Sequence, residues 1–526
     1  MKIKLTLIFL AITPWLVVAE ELNYDVCIYG GTSAGVIAAY QVAKMNKSVV
    51  IIAPDDHIGG LSSGGLGQTD IGNKHAIGGL SREFYRQLGT YYGTPEAWKF
   101  EPSAAAQLFD RYIKEMGIPV IKGQRISKVM KKNARITDVI LVPTYGKRPT
   151  QRLSASVFID CTYEGDLMAM AGVSYTVGRE DNSQYNETLN GYQLPEYLKQ
   201  SGRHQFPDGV SPYKIPGDPK SGLLWGIGNG KPAAVGTGDN RVQAYNFRIC
   251  LTDSAANRIP ITRPEGYDST KYELLARLIE AQPTLRKVND YFIWSRMPNR
   301  KTDINNRGGF STDMIGENYN WPEADFHQRR KIFNEHLAYT KGLLYFMASD
   351  PRVPESIRQF VQQWGYPKDE YPDNGNFTPQ LYIREGRRMV GEYVMTEHNC
   401  RGKAVVADPI GMAAYTMDSH NTQRLVVNGM VKNEGNVEVK GFRPYPIAYR
   451  SITPKQRECT NLLVPVSLSA SHIAFGSIRM EPVFMILGQS AAIAAVQAID
   501  QKTSVQQIDY QRLREQLLQH GQILSL

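Results

Sequence analysis

Hydrophobic residues crowd into short unbroken runs near both ends of this chain and spread out through its middle. Tyr24–Tyr29 (YDVCIY) is one such run, closed by glycine, and reads as a strand buried on both faces. A helix rich in small residues follows over Ala34–Lys44, then a second buried strand over Ser48–Ala53 (SVVIIA). Strand, helix and strand in that order make a βαβ unit. Further on, the pattern predicts a Tyr- and Phe-rich helix over Gly79–Leu88 and a helix over Phe109–Met116. It also predicts short hairpin strands between 118 and 142, and a buried strand over Ala155–Asp160.

From about Gly172 to Gly441 the character changes. This stretch holds most of the prolines, many aromatics, and mixed helices such as Tyr272–Glu280 and His327–Phe346. At Leu462 strand-like apolar sequence returns (NLLVPVSL), followed by a small-residue helix over Gly488–Ala498 and a polar C-terminal helix. The 526 residues exceed one compact core. The expected organisation is an α/β, Rossmann-like cofactor domain built from 20–172 and 441–500. A substrate or cap domain is inserted at 173–440, and a helical tail spans 501–526.

The first residues read as an export signal. Lys2 and Lys4 are basic, Leu5–Ile12 is apolar, and Val17-Val18-Ala19 offers a cleavage site before Glu20. Thr13-Pro14 breaks the apolar run, which falls short of the ~20 residues of a spanning helix. A signal peptide over 1–19 and a secreted or periplasmic protein are therefore expected. With no twin arginine, export is in the unfolded state and cofactor loading follows outside the cytoplasm. No other segment reads as a membrane span, so stable membrane insertion is not expected.

Composition narrows the chemistry. Hydrophobic residues are 42% and charged residues 21%, with a net charge of +9 scattered among acids rather than clustered. That reads as solubility and affinity for acidic substrates rather than for nucleic acid, and the expected partner is a small-molecule substrate. The five cysteines (Cys27, Cys161, Cys250, Cys400, Cys459) show no CxxC spacing, which argues against metal, iron–sulfur or c-type haem sites. Cys27 and Cys161 read as buried hydrophobes; pairing among the other three stays open.

The strongest motif is Gly30-Gly31-Thr32-Ser33-Ala34-Gly35, between strand and helix. A pyrophosphate needs a tight turn that aims a helix N-terminus at it, small residues for close N–H approach, and a last glycine for helix–strand packing. Thr32 stands where a glycine is usual, and Ala53 where an acid usually meets the adenosine ribose; Asp55 lies nearby. A second run, Gly59-Gly60-Leu61-Ser62-Ser63-Gly64-Gly65, offers a backbone able to lie along a flat ring. Asp160–Asp166 and Ser469–His472 each follow an apolar run and put polar groups at strand ends.

These stretches resemble the secreted bacterial FAD-dependent oxidoreductase family of glutathione-reductase-type flavoproteins, distantly similar to fumarate reductase flavoprotein subunits. The likeness is carried by YGGTSAG, GGLSSGGLGQTDIGN, FIDCTYEGDLMAMAGV, LYIREGRRMVGEY, MDSHN and SASHIAFGSIRMEPVFMILGQSAAIAA. It implies an FAD-binding domain with Gly30–Gly35 on the pyrophosphate and Gly59–Gly65 along the flavin. It places Cys161 and Thr162 beside the cofactor. It also implies a helix starting at Gly488, with Gln489, Ser490 and Ala491 in its first turn, aimed at the flavin.

Dehydrogenating an alcohol carbon needs a base while hydride goes to flavin N5, and imidazole suits that task. His472 and His420 are the candidates; Arg479 and Arg384 are candidates for holding a carboxylate or alkoxide. The electron acceptor is unknown. Two other readings compete: an NAD(P)-dependent dehydrogenase, and a polysaccharide-acting, lyase-like protein without redox chemistry. The Gly226–Gly230 cluster is followed by Lys231-Pro232, a poor helix start, and is set aside as a second dinucleotide site.

Overall fold

The computed structural model describes residues 21–146, 150–194 and 204–526, so the export signal over 1–19 lies outside the described residues. Strand β1 (Glu21–Tyr29), helix α1 (Ser33–Lys44) and strand β2 (Val49–Ala53) form the expected βαβ unit. β1 pairs in parallel with β2 on one side and with β6 (Gln151–Asp160) on the other. β3 (Val120–Lys122) extends the parallel edge beyond β2. β4 (Gln124–Lys132) and β5 (Arg135–Pro143) are an antiparallel ribbon joined to the first half of β6. Residues 462 and 463 return to pair in parallel with the second half of β6, so the sheet draws on distant parts of the chain.

The sheet is covered on both faces, which is why its central strands are continuously apolar. Val26 and Ile28 point into one core with Ile51, Val157 and Ile159. Cys27 and Tyr29 point into the other with Val50, Ile52 and Phe158. The first face carries α1, α3 (Gly79–Tyr91), α4 (Pro102–Glu115) and the long α9 (Glu481–Gln501). A separate hydrophobic cluster forms within the middle of the chain, around α6 (Glu273–Ala281) and α7 (Phe326–Ser349).

Helix α9 is long and apolar enough to cross a membrane by composition, yet every residue from Glu481 to Ala498 is buried in protein. It is a core helix. A Cβ on Gly488 would sit 2.5 Å from the Ala34 carbonyl oxygen, so the glycine sets how closely α9 approaches α1. Two expectations are corrected here. The helix begins at Glu481, with Pro482 in its first turn, and not at Gly488. Of the NLLVPVSL run only Leu462–Leu463 is a strand. All five cysteines are buried and free.

Candidate functional site

The Gly30–Gly35 turn stands where β1 delivers the chain to α1. Gly30 has φ +110°, a left-handed conformation that favours glycine, and a Cβ there would lie 2.7 Å from the Cys161 carbonyl carbon. A Cβ on Gly35 would collide with the Gly30 carbonyl oxygen, which is the close-packing role expected of the last glycine. Thr32 is the helix N-cap: its Oγ1 accepts from the Gly35 N–H at 3.3 Å and donates to the Cys161 carbonyl at 2.8 Å. The threonine therefore replaces glycine at no loss of order, tying the turn to the end of β6.

The second glycine run crosses the first, with the Gly59 N–H donating to the Gly31 carbonyl at 2.7 Å. Gly60–Ser63 is a single helical turn, with Leu61, Ser62 and Ser63 buried. At the end of β6, Asp160 accepts from the Thr162 N–H and hydroxyl and from the Met168 N–H. Burial pushes its carboxyl up to about 6 despite those bonds. The Cys161 thiol is fully buried, and burial pushes it well up, so it is a packing group rather than a nucleophile.

One residue joins these segments and escaped sequence reasoning. Glu481, 3% exposed at the start of α9, accepts from Ser33 Oγ at 2.6 Å, Ser62 Oγ at 2.7 Å and Tyr163 Oη at 2.7 Å. Burial raises its carboxyl and the hydroxyl bonds partly offset that. Glu-Pro at a helix start was the available signal. By contrast Gly488, Gln489, Ser490 and Ala491 lie along the body of α9. Gln489 Oε1 accepts from the Leu80 N–H at 2.8 Å, and Ser490 Oγ donates to the Ile410 carbonyl at 2.7 Å. They lock helices together, and the N-terminus belongs to Met480–Pro482.

An open cleft passes along Gly30–Thr32, Gly60 and Thr162–Glu164 and reaches Leu381 and Ile383. The residues present fit an FAD: a glycine-lined turn, no acid in the first turn of α1, and a second glycine run alongside. Tyr382 and Arg384, alternating with Leu381 and Ile383, join a polar cluster next to that run; Tyr382 packs on Leu61 and Leu66.

The two histidines of this region differ sharply. His472, 1% exposed, begins α8 (His472–Ile478). Its Nδ1 lies 2.8 Å from Glu385 Oε2, its Nε2 meets Ser419 Oγ at 2.9 Å, and its backbone N–H donates to Glu180. Both ring nitrogens are thus committed inside the protein. His420 has Nδ1 2.9 Å from Asp313 Oδ2, while Nε2 faces Asp418 Oδ2 at 3.4 Å, with the side chain 12% exposed. Burial would raise Asp418, but His420 and Arg479 outweigh it and hold the carboxyl well below the usual range.

Arg479 donates to Tyr382 Oη at 2.8 Å and to the Asp418 carbonyl at 3.0 Å. Arg384 lies 2.9 Å from Asp313 and its guanidinium sits 4.7 Å from the Tyr382 ring centroid. The structure therefore brings His420, Arg479 and Arg384 together and leaves His472 in the supporting core. Asp418 and Tyr382 lie inside the MDSHN and LYIREGRRMVGEY stretches but are not singled out there, and nothing local marks Asp313.

A family model described as FAD dependent oxidoreductase matches residues 25–517. The chain belongs to that family. FAD is its cofactor and it is an oxidoreductase, so the nicotinamide and non-redox readings fall away. No curated protein matches the chain. Among solved structures, it is similar to a Thermovibrio ammonificans THI4, with 19% identity over 29% of this chain and 64% of that one, TM-score 0.23. It is also similar to an L-amino acid deaminase from Proteus vulgaris, with 14% identity over 30% of this chain and 52% of that one, TM-score 0.23. A third is OxyS anhydrotetracycline hydroxylase from Streptomyces rimosus, with 12% identity over 31% of this chain and 38% of that one, TM-score 0.22. The chain spans less than two thirds of each of these structures.

Proposed function

We propose that this FAD-dependent oxidoreductase exchanges hydride between flavin N5 and a small hydroxylated substrate, a carbohydrate-like molecule or a hydroxy acid, outside the cytoplasm. The bound flavin supplies the hydride acceptor. His420 takes the hydroxyl proton: Asp313, 1% exposed, holds Nδ1 and orients the ring, and Nε2, 3.4 Å from Asp418 Oδ2, is the nitrogen that would receive the proton. Arg479, next to the Met480 cap of α9, offers a guanidinium to an alkoxide or carboxylate of the substrate. The Asp313–His420 pairing is the observation that carries this reading, because the His420 side chain is 12% exposed where that of His472 is 2% exposed.

An anaerobic flavin-bleaching screen of sugars, uronic acids and hydroxy acids tests it. With any substrate that bleaches the flavin, His420→Asn should retain FAD but slow reduction by about 10²–10⁴-fold, the usual worth of a general base. An unchanged rate would remove His420 from the role. Reoxidation of the reduced enzyme by an enoate is the complementary arm of the screen.

A further inference from the structure

Flavin cofactors with an adenosine half need a partner for the ribose diol and a seat for the adenine plane. The usual place for the first is the end of the second strand, and there this chain has Ala53, 1% exposed, 3.1 Å from where a Cβ of Gly31 would lie. Two residues on, Asp55 is exposed and lines the same cleft as Gly30–Thr32. The facing wall comes from the middle of the chain. Phe326, Arg330 and Phe333, in the first turns of α7, line the cleft together with Tyr145 from the β5–β6 connection. The Arg330 guanidinium carbon is 5.2 Å from the Tyr145 ring centroid and 5.6 Å from that of Phe333. Burial in the cleft pushes the Asp55 carboxyl up, and Arg330 is the cationic neighbour that pulls it down, so the two residues face one another across the cleft.

We infer that the adenosine half of FAD is held jointly by Asp55, which accepts from the ribose hydroxyls, and by the N-terminal turns of α7, where Arg330 and its aromatic neighbours seat the adenine. A carboxylate takes two hydroxyl donors of a vicinal diol at once, and a planar guanidinium framed by rings stacks on a flat base. The consequence is that the inserted part of the chain closes over the far end of the cofactor, so holding FAD and ordering α7 are coupled.

This rests on the cofactor being FAD, and not on which substrate it oxidises. Flavin-stripped protein is titrated with FAD and with FMN, which lacks the adenosine half, following fluorescence quenching. Asp55→Asn and Arg330→Ala should each weaken FAD by about 10- to 100-fold, the worth of charge-assisted contacts, and leave FMN unchanged. Arg330→Lys should recover only part, since an ammonium is not planar. Calorimetric titration with ADP is the second measurement: it should bind wild type and lose affinity in both variants, whatever FMN does. FAD and ADP affinities within twofold of wild type in both variants would overturn the inference, as would FMN weakened as much as FAD.

Discussion

Replacing His472 with asparagine separates a structural histidine from a catalytic one. In the wild type its Nδ1 meets both oxygens of Glu385, at 2.8 and 3.0 Å, and Nε2 meets Ser419 at 2.9 Å. Asparagine is too short to span both partners. A hydrogen bond to a charged group is worth about 1.5–3 kcal/mol and a neutral one about 1, so the loss should be about 2–4 kcal/mol. Glu385 keeps Arg388 at 2.8 Å and Gln243 at 3.1 Å, which stops the cost from reaching that of a stranded buried charge. Burial pushes Glu385 up, but His472 and Arg388 outweigh it and hold the carboxyl below its usual range. A depressed carboxylate stabilises the fold above its unfolded pKa, and that contribution is lost as pH falls through the folded value. The gap between wild type and His472→Asn should therefore narrow in acid. Urea unfolding of both proteins from about pH 7 down through the acid range below about 4.5, where the carboxyl takes up its proton, measures it, read as a lower midpoint at unchanged slope. Per folded, FAD-loaded molecule, the rate of flavin reduction should stay within about threefold of wild type, far from the 10²-fold or more of a lost base. Wild-type stability together with a hundredfold slower reduction would refute the assignment and return His472 to the chemistry.

Gly35→Ala should abolish FAD retention, because its Cβ meets the Gly30 carbonyl inside the pyrophosphate turn; flavin absorbance of the purified protein reads this out. Thr32→Gly should keep FAD but lower thermal stability slightly, since it removes the cap at Gly35 and the tie to Cys161. Glu164, on the cleft wall, is pushed up to about 7 by burial, against the pull of Arg329. A raised carboxyl stabilises the fold below its unfolded pKa and loses that contribution as pH rises through the folded one. FAD, an anion, should likewise bind more weakly as pH passes 7, and Glu164→Gln should flatten the profile in a fluorescence titration. Export predicts a mature N-terminus at Glu20, checked by N-terminal sequencing of the protein from its native host; an intact Met1 in soluble cytoplasmic protein would contradict it.

Much of the cofactor half was readable without coordinates, for a local reason. A buried strand, a capped helix and a glycine turn are each specified within a few residues, and their order along the chain dictates a βαβ unit. So β1, α1 and β2 fall within a residue or so of their sequence-read limits, apart from an earlier start to β1, and the Gly30–Gly35 turn joins strand to helix with Gly30–Thr32 on the cleft wall. What the sequence could not decide are choices among equals that only long-range contacts make. His472 and His420 look alike on paper, each beside hydroxyls, and the better-placed one proved to be locked between Glu385 and Ser419. Nothing near residue 420 announces that Asp313, more than a hundred positions away, will hold its ring. Glu481 is the clearest case. It gathers hydroxyls from Ser33, Ser62 and Tyr163 across separations of 448, 419 and 318 residues, because α9 returns from the far end of the chain to pack on α1. Helical periodicity could not place the start of that helix either. Its buried residues cover every face, so no amphipathic boundary marks where it begins, and only packing against the sheet puts its N-terminus at Glu481 rather than Gly488.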